Sequence, residues 1–303
     1  MHNNITIQKM NIVRISAGLG NQMFQYALYL ALKENGADEN TAIDITEFQY
    51  RKHHQGYELQ KVFGVEPRYA TKKEIFKIAD VDKSFWNCFR RDVLQIKRQT
   101  PETIFNQDGE LFNSEVFSRK NTYFQGFWQS WKYFDKIEEA IRTQFTFKPP
   151  FSEINKACAQ AIDGCESVSI HIRRGDYTKR RRWEDIGSIC SLDYYNWAIA
   201  HIHEQLGDKV HYFIFSDDIE WVKANLPISN ATYINWNKDG ESYNDLHLMS
   251  LCKHNIIANS SFSWWGAFLN QNPDKIVIAP ERWYRNTPTP DLIPQGWITL
   301  PID

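Results

Sequence analysis

The chain has 303 residues, 42% of them hydrophobic and 15% aromatic, enough for one large or two medium domains with a substantial core. A net charge of -2 argues against a general nucleic-acid or membrane-surface role. The five cysteines (Cys88, Cys158, Cys165, Cys190, Cys252) are odd in number and form no C-x-x-C pair, so reduced thiols fit better than a disulfide framework or a zinc site.

The N-terminus is polar through Asn11 and has no apolar h-region, so no signal peptide is expected. No run approaches the roughly 18 apolar residues of a membrane span. The expectation is a soluble cytoplasmic protein. Asn11 to Ile15 reads as a short strand. The loop Ser16-Ala17-Gly18-Leu19-Gly20-Asn21 follows, then a helical pattern from Gln22 to Asn35 that Gly36 closes. Thr41 to Ile45 reads as a second strand with Asp44 near its end. Residues 46 to 60 are polar and read as a loop. Thr71-x-x-Glu74 spells a capping box for a helix to about Ala79. Phe85 to Lys120 shows no regular pattern, Asn121 to Phe127 is strand-like, and Asp135 is placed to cap a helix to Phe145.

Lys148-Pro149-Pro150 marks the domain boundary, because paired prolines stop regular structure. This divides the chain into 1–150 and 151–303, with room for the last residues to pack back on the first domain. Beyond it the rhythm is regular. A helix from Ser152 to Ile162 leads to a strand from Val168 to Ile172. Ser191 caps a helix to Leu206, stopped by Gly207, with Tyr195, Ala198, Ile199, Ile202 and Leu206 as its apolar face. Val210 to Phe215, Thr232 to Asn235, Asn255 to Ala258 and Lys275 to Ala279 read as strands. Helices lie between them: one opened by Ser216-Asp217-Asp218, one from Ser242 to Lys253 and one from Ser261 to Asn270. Such alternation implies a parallel sheet with helices on both faces. The architecture expected is α/β, two Rossmann-like domains with a cleft between them.

His171-Ile172-Arg173-Arg174-Gly175-Asp176-Tyr177 is the stretch richest in chemistry. It places two guanidiniums, an imidazole and a carboxylate at the C-terminal end of a buried strand, where open α/β sheets bind ligands. The planar, permanently charged arginine fork suits phosphate. The competing reading is a solvated, salt-bridged loop, and Lys179-Arg180-Arg181-Arg182 invites the same reading. A second anion site is suggested at Asn259-Ser260-Ser261-Phe262, where backbone N–H groups and hydroxyls open a helix. Its alternative is an ordinary serine cap, with Trp264 and Trp265 as core.

Gly18-x-Gly20 with a later Asp44 superficially resembles a dinucleotide fingerprint, but Met23 stands where the third glycine belongs. Close backbone approach to another ligand is the alternative, with the Asn21 amide projecting toward it. Asp245, in the first turn of a helix, is either an ordinary helix carboxylate or an acceptor for the guanine N1–H and N2–H donors. Asp217-Asp218 sits where a cap is expected, so a metal role is weak. His53-His54 and His201-x-His203 lack ligand partners at useful spacing.

HIRRGDY (171–177), GLGNQMFQYA (18–27), FWQSWKYF (127–134), IFSDD (214–218) and DLHLMSLCKHNIIANSSFSWWGA (245–267) together resemble the α-1,2-fucosyltransferases of glycosyltransferase family 11. The agreement runs in order along nearly the whole chain. One departure is Phe127, where the family often has tyrosine. The resemblance implies a GT-B fold, a GDP-β-L-fucose donor, a galactose-terminated oligosaccharide acceptor, inversion at the anomeric carbon, and neither metal nor cofactor. It makes 1–150 the acceptor side and 151–303 the GDP-sugar side. By the same resemblance Arg173 neutralises the leaving β-phosphate with Ser260, Ser261 and the Phe262 N–H. His171 and Asp245 recognise guanosine, and Gly20, Asn21 and Gln22 line the cleft near fucose or acceptor. Asp176 is the candidate base. Another GDP-sugar enzyme and a non-catalytic glycan-binding protein remain alternatives, and no nucleic-acid partner or membrane insertion is expected.

Overall fold

The computed structural model describes residues 10–34, 40–50, 55–97, 103–107, 111–174, 189–238, 240–287 and 289–302. The chain divides into two compact units, Met1–Thr146 and Phe147–Asp303, each built on its own parallel sheet.

In the first unit β1 (Ile12–Arg14) leads into α1 (Leu19–Glu34), followed by β2 (Ala42–Asp44). Four short helices come next: α2 (Glu47–Tyr50), α3 (Leu59–Phe63), α4 (Lys72–Ile78) and α5 (Phe85–Cys88), the last running on into a wider turn over Phe89–Val93. β3 (Ile104–Asn106) and β4 (Tyr123–Gln125) complete a sheet of order β2-β1-β4-β3, and α6 (Glu138–Gln144) follows. The Thr71 box forms as the sequence predicts: Thr71 Oγ1 accepts from the Glu74 N–H, and the Glu74 carboxylate accepts from the Thr71 N–H. Asp135 does not cap α6. It lies in a separate tight turn, and Ile137 precedes the helix. The supposed loop at Gly18–Asn21 is also shorter than expected. The Gly18 carbonyl accepts from both the Asn21 and the Gln22 N–H at 3.0 Å, so α1 starts at Leu19 and takes Gly20 and Asn21 into its first turn.

The second unit runs α7 (Glu153–Asp163), β5 (Glu166–Ile172), α8 (Leu192–Leu206), β6 (Val210–Ser216), α9 (Ile219–Asn225), β7 (Ala231–Ile234), α10 (Tyr243–Leu251), β8 (His254–Ile256), α11 (Ser261–Leu269), β9 (Val277–Pro280) and β10 (Ile298–Leu300). The sheet order is β10-β9-β8-β5-β6-β7, every described pairing parallel. Alternate strand residues point to opposite faces, and both faces are apolar. Val168, Ile170, Ile172, Tyr212 and Ile214 pack with Tyr194, Tyr195, Ala198 and Ile202 of α8. Phe213, Phe215 and Ile234 pack on the other side with Cys158 and Ile162 of α7 and Leu248 and Met249 of α10. Each large side chain so buried contributes about 1.5–3 kcal/mol.

Two strands escape the sequence reading. β3 and β10 are three residues long and sit at sheet edges, with half-exposed residues and too little length to show alternation. Near the chain's end, Ile298–Leu300 zips onto β9 of the second unit's own sheet.

α10 and α11 pack closely through Gly266, where an added Cβ would lie 2.9 Å from Met249 Cβ and 3.4 Å from its Sδ. The nearer atom is the stiff root of the methionine side chain, so the helices must part. Gly266→Ala is expected to destabilise the protein by about 1–3 kcal/mol, read as a lower urea midpoint.

Candidate functional site

Strand order determines where the second unit's site forms. From β5 the chain steps outward to β6 and β7, then returns to the other side of β5 as β8 and continues to β9 and β10. The connections diverge between β5 and β8, and in open α/β sheets that switch point opens a crevice at the strands' carboxyl ends. His171 lies at the end of β5 and Arg173 and Arg174 follow that strand, while Asn259, Ser260 and Ser261 follow β8. The ring centroids of His171 and Phe262 lie 6.0 Å apart, so the two motifs meet there.

The two arginines divide their work. β5 and β6 are in register with Ile172 opposite Ser216, which brings residues 173 and 217 side by side past the strand ends. An Arg173 Nη1 to Asp217 Oδ2 ion pair of 3.1 Å forms, and Asp217 Oδ1 accepts the Arg174 N–H at 2.9 Å. One carboxylate therefore holds the Arg173 head and the Arg174 backbone. At such partial exposure the pair adds at most about 1 kcal/mol of stability, so its effect is chiefly orientation. The Arg174 guanidinium lies 3.4 Å above the Trp221 ring centre and ion-pairs with Asp218 at 3.6 Å. Asp218 itself caps α9 through the Trp221 N–H. Sequence reasoning treated Asp217-Asp218 as one cap. The missed signal was that two adjacent strands end in Arg-Arg and Asp-Asp.

His171 is 6% exposed, and its Nδ1 has no hydrogen-bond partner among the described residues. Burial first and Arg173 second push its pKa down to about 3, so the ring is neutral at ordinary pH. An unpaired buried nitrogen costs about 1–3 kcal/mol, which a ligand group would recover. Ser260 Oγ caps α11 by accepting the Phe262 N–H at 3.4 Å, a long bond that leaves this helix start suited to an anion. Ser261 is half-buried in the first turn. Asp245 is not an ordinary surface carboxylate. Burial raises its pKa to about 7 against an opposing hydrogen bond from Asn237 Nδ2 at 2.7 Å. Asp176, Gly175, Tyr177 and the 179–182 basic run lie outside the described residues, as do His53 and His54. Among the described residues no three His, Cys, Asp or Glu side chains gather to hold a metal ion.

The first unit has its own switch point, between β1 and β4. Asn21, after β1, accepts at Oδ1 from Gln129 Nε2 at 2.6 Å, after β4. Gln25 makes a second stitch, accepting from the Ser16 N–H and donating to the Gly126 carbonyl. The Gln22 side chain is fully buried, donating to the carbonyls of Ala17 and Gly56 and accepting from the Glu58 N–H. Gly20 is buried as well. Met23 is fully buried in place of the third fingerprint glycine. Asp44 is buried and taken up by the Tyr123 hydroxyl and the Thr46 N–H, which removes it as a ribose acceptor.

Residues 87–300 match the model of Glycosyl transferase family 11. The chain belongs to glycosyltransferase family 11. It is 33% identical to an alpha-1,2-colitosyltransferase of Escherichia coli over 95% of this chain and 98% of that one. Identity is 32% to an O-antigen biosynthesis glycosyltransferase, WbnK, of Escherichia coli, over 94% and 99%. Human galactoside alpha-(1,2)-fucosyltransferase 1 is 27% identical over 48% of this chain and 42% of its own. Among solved structures, POFUT1 in complex with GDP-fucose superposes with a TM-score of 0.51 at 14% identity, covering 90% of this chain and 98% of that one, a likeness of fold. The glycosyltransferase therefore carries an arginine, a neutral histidine and a helix start at one sheet edge.

Asp217→Asn keeps shape but removes the charge that orients Arg173. On the nucleotide-site reading proposed below, it is expected to weaken nucleoside-diphosphate binding about tenfold by calorimetry with unchanged far-UV dichroism.

Proposed function

We propose that this glycosyltransferase moves L-fucose from GDP-β-L-fucose to the 2-hydroxyl of a terminal galactoside, inverting the anomeric carbon to give an α-1,2 linkage. The observation that carries the reading is the Asp217-held Arg173 at the β5–β8 switch point, beside His171 and the Ser260 helix start, in a family 11 chain. Family membership supplies the sugar chemistry, and the second unit supplies groups suited to a diphosphate. The reading extends to the GT-B arrangement, with 1–150 on the acceptor side and 151–303 on the donor side.

In this reading the Arg173 guanidinium takes the β-phosphate charge that grows as the glycosidic bond breaks. The Ser260 and Ser261 hydroxyls and the first N–H groups of α11 share it. Charge stabilisation of this kind supplies several kcal/mol of barrier lowering, with no resident cofactor in the scheme. Arg173→Lys retains charge but loses the bidentate fork, and is expected to lower kcat by about 100-fold or more. Intact turnover would remove the arginine from the mechanism.

A base must take the acceptor proton during in-line attack. Asp176, three residues past Arg173, is the candidate. Asp176→Asn is expected to abolish transfer, and normal turnover across the pH range would exclude it. His171 is a poor choice for that task, since a group titrating near 3 is a weak base.

A second donor is favoured by the colitosyltransferase relative, namely GDP-colitose, a fucose analogue lacking the 3-hydroxyl. Offering GDP-fucose, GDP-colitose and GDP-mannose with a panel of β-galactosides, and mapping the product linkage, decides between them. An α-1,2-fucosyl product is the expected outcome. A β product, or transfer from GDP-mannose alone, overturns the reading.

A further inference from the structure

We propose that Trp236, Asn155 and Asn237 form a directional hydrogen-bond relay that positions the Asp245 carboxylate as the reader of the donor's purine base. The inference rests on the proposed function, in which Asp245 meets guanine. It adds three positioning residues from two other parts of the fold.

The relay has a direction because an indole N–H is a donor only. Trp236 Nε1 donates to Asn155 Oδ1 at 2.7 Å, which fixes which end of that amide is oxygen. Asn155 Nδ2 then donates to Asn237 Oδ1 at 2.8 Å, and Asn237 Nδ2 returns a 3.2 Å bond to Asn155 Oδ1. With its oxygen so committed, Asn237 turns Nδ2 to Asp245 Oδ1 at 2.7 Å. A flipped Asn237 would set oxygen against carboxylate oxygen. Asn155 is 1% exposed, on α7, so the relay is anchored within the core that supports the sheet.

No ion pair among the described residues reaches Asp245, so this neutral amide is its local support for ionisation. Among the described residues, the groups around it supply no positive charge. Cys158 faces it from α7, its thiol pushed up to about 11 by burial first and by Asp245 second. His247, on the same helix, is stacked between Phe147 and Phe151, and burial takes its pKa down to about 4. Glu241 is bonded to the Tyr243 hydroxyl and the Asn244 amide. Lys238 is exposed. Guanine offers two donors, N1–H and the N2 amino group, and an ionised carboxylate accepts both. A protonated one cannot. Binding therefore strengthens as pH rises through the Asp245 pKa of about 7, and the relay determines where that rise falls.

The test is calorimetric titration of the full chain with GDP and with IDP, which lacks the N2 amino group, across about pH 6 to 9. The parent protein should bind GDP more tightly as pH rises, and IDP with a smaller gain. Trp236→Phe keeps the bulk and removes only the first donor, while Asn237→Ser removes the last. Both are expected to move the GDP midpoint to higher pH and to weaken binding at pH 7 about tenfold, with recovery toward pH 9. Midpoints that stay in place, or a loss equal at every pH, would reduce the three residues to packing. A parent protein that binds neither nucleotide sinks the guanine reading itself.

Discussion

Everything at the second unit's site depends on β5 and on the reversal of strand order beside it. A strand paired on both sides cannot shift without breaking two ladders, and β5 bonds to β6 along its full length and to β8 across three residues. Its apolar residues are shared between the two helical layers. The position of Arg173 is thus inherited from the most constrained element of the sheet, with no long loop intervening. The hydroxyl of Tyr195 on α8 adds a bond to the His171 carbonyl at 3.1 Å, fixing the backbone where the strand gives way to chemistry.

That constraint explains the choice of residue types. The adjacent arginines cannot both face a ligand, because successive side chains at a strand end point apart. One stacks on Trp221 beside Asp218, and the other is turned by Asp217. Two carboxylates next to the proposed anion site would ordinarily repel an anionic ligand. Here each is spent on an arginine, so the ion pairs orient donors without leaving a surplus of negative charge. A lysine in place of Arg173 would meet Asp217 equally well as a point charge, but could not serve both that carboxylate and a phosphate in fixed geometry.

Much of this was legible in the amino-acid order, and what escaped did so for identifiable reasons. Ser191, Gly207 and the α8 pattern mark that helix because caps and 3.6-residue periodicity are local signals. Parallel strands such as Val210–Ser216 show as apolar runs because both faces are covered. β3 and β10 are too short and too exposed for either signal. Gln22 shows another limit: a polar residue in a glycine-rich loop invites a ligand role, and the sequence does not show that three backbone groups claim its amide. Asp217 was visible as a carboxylate, and only the strand register shows what it is for.

In the proposed function, strand register also governs how a diphosphate is both held and released. Among the described residues, neutral His171 and the paired Arg173 leave the site without a large excess of positive charge, so attraction comes from oriented donors. Oriented donors act most strongly on charge placed where they point, which for a departing nucleotide is the bridging oxygen of the breaking bond. A site built from unpaired cations would instead bind substrate and product equally tightly, which lowers KM without raising kcat. In the proposed mechanism Asp217 therefore does more than hold Arg173 in place: it tempers the arginine's charge so that geometry, not net attraction, selects the state that is stabilised.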